Sequence, residues 1–291
     1  MTTKVPDFGI CTALVTPMKQ GGAIDLNALE KLVLKQKEAG AKALLALGTT
    51  GEACFLADSE RGEVLRTIKR VFPQVFLFAG CGSNDAKKAF GYAALSKNCG
   101  ADALLAVTPY YSKGTEAGVA DYYRKLAETG LPVFCYNVPG RTGYSMPVPL
   151  VQTLFNEGTV AGIKEASGDV MRVAELALAG VAVYSGDDLT ALPSYAVGAR
   201  GCFSVTANVA FTRVLEIFHL FSTGEVAAAR HADEALRPLS RALFSEVNPV
   251  PVKAALSLLG TTEEGMRPPL TPLSPDKKRE IVKALVRLRI I

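Results

Sequence analysis

Short apolar runs recur along the chain and alternate with longer stretches of helical period. The runs are Gly9 to Val15, Ala41 to Leu47, Val75 to Ala79, Asp102 to Val107, Pro132 to Tyr136, Val160 to Lys164, Val181 to Ser185 and Ala199 to Val205. They are apolar on both strand parities, which is the pattern of parallel strands covered on both faces. Between them, apolar positions recur at helical spacing behind an acidic residue suited to cap the helix. Examples are Leu26, Leu29, Leu32 and Val33 behind Asp25, and Val170, Val173 and Leu176 behind Asp169. Strand then helix, repeated eight times with right-handed crossovers, closes into a barrel. The pattern therefore predicts an α/β fold, a (β/α)8 TIM barrel over residues 1–223. Beyond Ser222-Thr223-Gly224 the pattern is helical only, in Glu225 to Leu236, Val252 to Leu259 and Asp276 to Leu288, and predicts a C-terminal helical domain over residues 224–291. An open doubly wound sheet competes with this reading, but Thr16-Pro17-Met18 follows the first run where such a sheet carries a glycine-rich dinucleotide turn.

Composition narrows the function classes. The 291 residues are 49% hydrophobic and 21% charged, enough to bury a large core and incompatible with disorder. The longest stretch without Asp, Glu, Lys or Arg is the fifteen residues from Thr142 to Asn156, broken by Pro147 and Pro149. A spanning helix needs roughly 20 apolar residues, so no membrane segment is expected. Met1 to Ile10 lack a basic segment leading into an apolar one, and a cytoplasmic protein is expected. Thirty-two Lys and Arg against 28 Asp and Glu leave a scattered net charge of +4, which predicts no nucleic-acid partner. The six cysteines contain no Cys-x-x-Cys and read as reduced thiols. The only histidines, His219 and His231, are too few for an imidazole-rich metal site, and no metal is expected.

Functional groups of such a barrel sit at the carboxyl ends of its strands. There the chain carries Gly48-Thr49-Thr50-Gly51-Glu52, Thr108-Pro109-Tyr110-Tyr111, Tyr136-Asn137-Val138-Pro139-Gly140-Arg141-Thr142-Gly143 and Gly162-Ile163-Lys164-Glu165. Lys164 shares a parity with Val160 and Gly162, which aims it at the barrel axis. A desolvated lysine is driven toward the neutral amine, a nucleophile that forms a Schiff base with carbonyl compounds. The same spacing also fits a lysine whose head snorkels into solvent. Tyr136 can shuttle protons if a hydroxyl such as that of Thr49 passes them on, although a packed ring and a turn threonine explain these two residues equally well. The glycines around Thr49 and Thr50 permit close backbone approach to a small anion, or merely the turn itself. Arg141 offers a planar fork for a carboxylate, or a solvated loop charge. Tyr110 and Tyr111 fit a site or an interface. Gly80-Cys81-Gly82 lacks both the third glycine of a dinucleotide turn and the lysine of a P-loop.

Taken together, Gly48-Thr49-Thr50-Gly51-Glu52, Tyr136-Asn137-Val138-Pro139-x-Arg141-Thr142-Gly143 and Gly162-Ile163-Lys164-Glu165-Ala166 resemble the dihydrodipicolinate synthases. So do Thr108-Pro109-Tyr110-Tyr111, Ser185-Gly186-Asp187-Asp188, Ser204-Val205-Thr206-Ala207-Asn208 and Asn248-Pro249-x-Pro251-Val252-Lys253, and the likeness covers the whole chain. It implies a class I aldolase-type lyase that condenses pyruvate with L-aspartate 4-semialdehyde to 4-hydroxy-tetrahydrodipicolinate, on the route to diaminopimelate and lysine, without a cofactor. Lys164 is then the Schiff-base lysine. Tyr136, Thr49 and Tyr111 form a proton relay, with the last supplied by a neighbouring subunit. Thr50 holds the pyruvate carboxylate, Arg141 receives the semialdehyde carboxylate, and the backbone around Phe203 completes the pocket. A homotetramer built as a dimer of dimers, or a homodimer, follows from the shared tyrosine.

Lysine-inhibited relatives tend to carry Ser, Ala, His, His and Glu where this chain has Ala53, Cys54, Asp58, Arg61 and Lys88, while Asn84 and Tyr110 match. Weak or absent feedback by lysine is expected. Two alternatives remain: another pyruvate-dependent aldolase such as an N-acetylneuraminate lyase, and a catalytically silent barrel that binds a small acid. Arg141 and the paired threonines speak against the first, and the joint presence of Lys164, Tyr136 and Thr49 against the second.

Overall fold

The computed structural model describes residues 5–291; residues 1–4, part of the stretch read for an export signal, lie outside it. Eight strands, β1 (Ile10–Ala13), β2 (Ala43–Ala46), β3 (Phe76–Gly80), β4 (Ala103–Val107), β5 (Val133–Asn137), β6 (Gly162–Glu165), β7 (Val183–Ser185) and β8 (Cys202–Ser204), form a closed barrel in sequence order. Every apolar run contributes one of them, and each observed strand is buried along all or nearly all of its length. The (β/α)8 expectation is met. Strand limits differ by a residue or more from the runs for local reasons. Leu47, for example, leaves the extended region at φ 58°, which ends β2 at Ala46 and starts the turn into Gly48.

The chain divides into two compact units, residues up to Gly9 with Phe76–Phe203, and Ile10–Val75 with Ser204–Ile291. In the first unit, β3 to β8 pair in parallel. Phe134 lies opposite Gly162, and one pleat further Tyr136 lies opposite Lys164. Residues two apart share a face of the sheet, so Tyr136 and Lys164 point the same way as Phe134. The Phe134 ring belongs to an aromatic cluster with Phe8, Phe78, Tyr184 and Phe203, whose centroids lie 4.7–6.5 Å apart. Gly162 makes room for it, since a Cβ there would meet the Phe134 ring at 2.8 Å. Gly82 is explained in the same way, with Val107 N only 2.4 Å from where its Cβ would stand.

In the second unit, β1 and β2 pair in parallel. Asp25 caps the helix Leu26–Glu38 by accepting from Ala28 N, and that helix buries Leu29, Leu32 and Val33 as its spacing requires. Asp169 likewise caps Val170–Leu178 in the first unit. Asn208, at the start of the helix Ala207–Ser222, accepts from Val15 N at 3.1 Å and donates to Ala13 O at 2.7 Å, so its amide satisfies backbone groups where β1 ends. That helix stops where Gly224 turns to φ 87°, and the next begins at Val226. The helices that follow it in the chain are Val226–Leu243, Val250–Leu258 and Pro275–Arg287. They pack on one another through stripes such as Ala229, Leu236, Leu239 and Leu243. Among the described residues no helix is long and apolar enough to cross a membrane.

Candidate active site

The ends of β5 and β6 bring two of the sequence-selected residues together. Lys164 is only 5% exposed, and its Nζ lies 4.5 Å from the centre of the Tyr136 ring and 5.5 Å from that of Phe203. Snorkelling into solvent is thereby excluded. The aromatic cluster forms one wall around the amine, because Phe203 packs at 5.1 Å on Phe78 while also facing Nζ. Gly186, two residues past Tyr184, leaves the space that the lysine stem occupies. A Cβ at Gly186 would stand 2.8 Å from Lys164 Cε.

Directly beyond this pair, Asn137 lies opposite Glu165. The Asn137 amide donates to both carboxylate oxygens at 3.0 and 2.9 Å, Ser167 N–H donates to Oε1 at 2.9 Å, and Arg172 Nε donates to Oε2 at 2.8 Å. A carboxylate buried to this extent is tolerated only when paired and fully hydrogen-bonded, and Glu165 is both. Spacing alone gave no sign of Arg172, seven residues on in the following helix. The available signal was the acidic residue ending an apolar run, which calls for a cation nearby.

Arg141 sits in a single helical turn, Pro139–Thr142, with its side chain exposed. Thr142 stabilises the turn, its hydroxyl donating to Tyr144 O at 2.9 Å, and Gly143 leaves it at φ 66°. Tyr111 is 90% exposed and held at φ 69°, a region costly for a bulky residue. Within the chain it projects outward and does not join Tyr136 and Lys164.

In the second unit, the Gly48–Glu52 loop carries Thr49, half-buried, and Thr50, buried. Gly51 N–H closes the turn on Gly48 O at 3.1 Å, and Thr16 Oγ1 donates to Gly51 O at 2.7 Å. Two residues of the Asn248-to-Lys253 motif clamp this loop, a function that sequence reasoning did not assign. Asn248 Nδ2 donates to Thr50 Oγ1 at 2.9 Å, and the Lys253 ammonium pairs with Glu52 while also donating to Gly265 O at 2.8 Å. Burial pulls the Lys253 ammonium below its ordinary value, and the Glu52 carboxylate opposes that shift. Arg267 continues the network, its N–H donating to Glu52 Oε2 at 3.1 Å and its guanidinium holding Glu60. No disulfide joins the six cysteines among the described residues, and five of them are buried. No group of three or more His, Cys, Asp or Glu among the described residues is placed to hold a metal ion.

A parallel (β/α)8 barrel with a buried lysine among aromatic rings at a strand's carboxyl end has the design of a barrel enzyme that handles small carbonyl compounds. The chain belongs to the dihydrodipicolinate synthetase family, whose model matches residues 7–288. It is 40% identical over 282 residues to the 4-hydroxy-tetrahydrodipicolinate synthase of Thermodesulfovibrio yellowstonii, covering 95% of this chain and 97% of that one. It is 42% identical over 272 residues to the 4-hydroxy-tetrahydrodipicolinate synthase of Pseudomonas aeruginosa, covering 92% and 93%. Among solved structures it is similar to the chloride-inhibited dihydrodipicolinate synthase of Acinetobacter baumannii complexed with pyruvate. That likeness has a TM-score of 0.95 and 40% identity, and covers 98% of this chain and 100% of the other.

Proposed function

We propose that this chain is a lyase that condenses pyruvate with L-aspartate 4-semialdehyde to 4-hydroxy-tetrahydrodipicolinate, in the cytoplasm and on the route to diaminopimelate and lysine. Its curated relatives bear that enzyme's name, and a similar structure was solved with pyruvate. These names favour it over the sialic-acid lyase and silent-barrel readings. The single observation that carries the chemistry is the buried Lys164 amine lying over Tyr136 on the paired strand.

In this reading Lys164 Nζ attacks the keto carbon of pyruvate and water leaves, giving an iminium. The iminium acidifies the methyl group, and loss of a methyl proton gives an enamine. The enamine carbon adds to the aldehyde carbon of the semialdehyde. The semialdehyde amine then attacks the iminium carbon, closing the ring and releasing Lys164. Tyr136, with Thr49 and Tyr111, carries the protons, Thr50 holds the pyruvate carboxylate, Arg141 receives the second carboxylate, and the backbone around Phe203 bounds the pocket. The scheme needs neither metal nor organic cofactor. The exposure of Tyr111 supports its donation to a neighbouring copy in a homodimer or homotetramer.

Borohydride reduction in the presence of pyruvate, followed by peptide mass mapping, tests this reading. Pyruvate reduced onto Lys164 is expected, with none on Lys164→Ala; no adduct on the unaltered protein overturns the proposal.

A further inference from the structure

The Glu165 network is closed into a ring by a residue outside both strands. Asn137 Oδ1 accepts from Met146 N at 3.0 Å, and Arg172 Nη2 donates to Met146 O. Asn137, Glu165, Arg172 and Met146 thus hold one another in sequence, with the Glu165 side chain 1% and that of Arg172 14% exposed. Asn137 ends β5, and Met146 follows the turn that bears Arg141, so the ring pins the Val138-to-Ser145 segment at both ends. The same ring sits one residue beyond Tyr136 and Lys164.

We infer that Arg172, acting through Glu165 and the Met146 carbonyl, is a positioning residue that holds the Arg141 segment in register with the Lys164 strand. It thereby governs capture of the second substrate's carboxylate. The inference rests on the function proposed above. A purely structural role at this place needs only matched apolar side chains, since buried ion pairs add little stability over such replacements. What the ring supplies instead is a fixed geometry. Arg172 reaches two acceptors on different segments through two different nitrogens of a rigid fork, which a lysine does not reproduce.

The test compares the unaltered protein with Arg172→Lys, Arg172→Gln and the neutral pair Glu165→Gln/Arg172→Gln, included because a lone buried carboxylate risks unfolding. Each is followed by thermal midpoint, by borohydride trapping of pyruvate, and by KM for each substrate. Displacement of a positioned group by about an ångström is costly, so KM for the semialdehyde is expected to rise about 10- to 100-fold in both Arg172→Gln proteins. Arg172→Lys, which keeps the charge beside Glu165, should restore the thermal midpoint but not that KM. KM for pyruvate and trapping on Lys164 should change less than about threefold, because the ring's hydrogen bonds run among Asn137, Glu165, Arg172, Met146 and Ser167 and none reaches the Lys164 side chain. An unchanged semialdehyde KM in any folded variant, or an equal rise in both KM values, overturns the inference while leaving the Schiff-base reading intact. Absence of trapping in the unaltered protein overturns both.

Discussion

The amide of Asn248 donates to the hydroxyl of Thr50 at 2.9 Å, joining residues 198 positions apart. Thr50 stands in the loop that Gly48 and Gly51 bound, and the amide engages its hydroxyl. If Thr50 holds the pyruvate carboxylate, Asn248→Ala should raise KM for pyruvate by about 2- to 10-fold, the equivalent of a hydrogen bond of about 0.5–1.5 kcal/mol. Trapping rates measured against pyruvate concentration check this directly. An unchanged concentration dependence removes Asn248 from the site.

Tyr136 faces the Lys164 amine with its ring, so removal of its hydroxyl leaves the packing in place. If Tyr136 carries the protons as proposed, Tyr136→Phe should keep its thermal midpoint and its borohydride adduct while kcat falls about 10²- to 10⁴-fold, the usual range for losing a general acid-base group. Steady-state rates beside mass mapping separate the two effects. A kcat within threefold of the unaltered value would assign the proton traffic elsewhere.

Gly186 is required by the lysine itself. A methyl group there would stand 2.7 Å from Ala166 Cβ and 2.8 Å from Lys164 Cε, so the amine must move. Gly186→Ala is expected to destabilise the fold by about 1–3 kcal/mol, as overpacking does. If Lys164 is the nucleophile as proposed, displacing it should also slow pyruvate trapping about 10- to 100-fold. Chemical denaturation and trapping kinetics report the two effects on the same sample.

How much of this was legible beforehand follows from how far each signal reaches along the chain. The eight strands were readable because burial on both faces leaves no polar parity, and Lys164 stood out because its parity with Val160 and Gly162 aims a charged group at the barrel axis. The caps at Asp25 and Asp169 are contacts within one turn and were equally plain. Arg172 was not legible. It lies on an amphipathic helix where an arginine ordinarily faces water, and its partner Met146 is 26 residues away. The clamp of Asn248 on Thr50 and of Lys253 on Glu52 was hidden for the same reason, since both exist only after the last helices return to the loop beyond β2. Strand limits were blurred where a single left-handed residue, such as Leu47, ends the extended backbone.

Lys88 is exposed on the helix Ala86–Asn98, at the place where the family resemblance puts an acidic residue in lysine-inhibited synthases. Arg61, another departure, is buried and donates to Ala53 O at 2.8 Å, so it is fixed in place as part of the fold. Like charge at Lys88 opposes a ligand ammonium. L-lysine is therefore expected to inhibit weakly or not at all in a coupled assay, and inhibition at micromolar lysine would contradict this.

The Glu60–Arg267 pair ties the segment after Gly265 to the helix Asp58–Val71, and it makes stability depend on acid. The Arg267 guanidinium, helped by Ala57 N–H, holds the Glu60 carboxyl below its ordinary 4.5, against the opposing effect of burial. A carboxyl whose folded value is depressed binds its proton more readily in the unfolded chain. Its contribution is therefore complete above about pH 4.5 and is lost as pH falls through the lower folded value. Glu60→Gln is expected to lower the thermal midpoint at pH 7 by roughly 2 °C, the shift that about 1 kcal/mol produces in a chain of this size. The difference between the two proteins should shrink below pH 4.5 and vanish once Glu60 is protonated in both states. Midpoints measured from pH 7 down to pH 3 decide the matter: a difference that stays constant across that range would mean that the pair contributes through shape and not through charge.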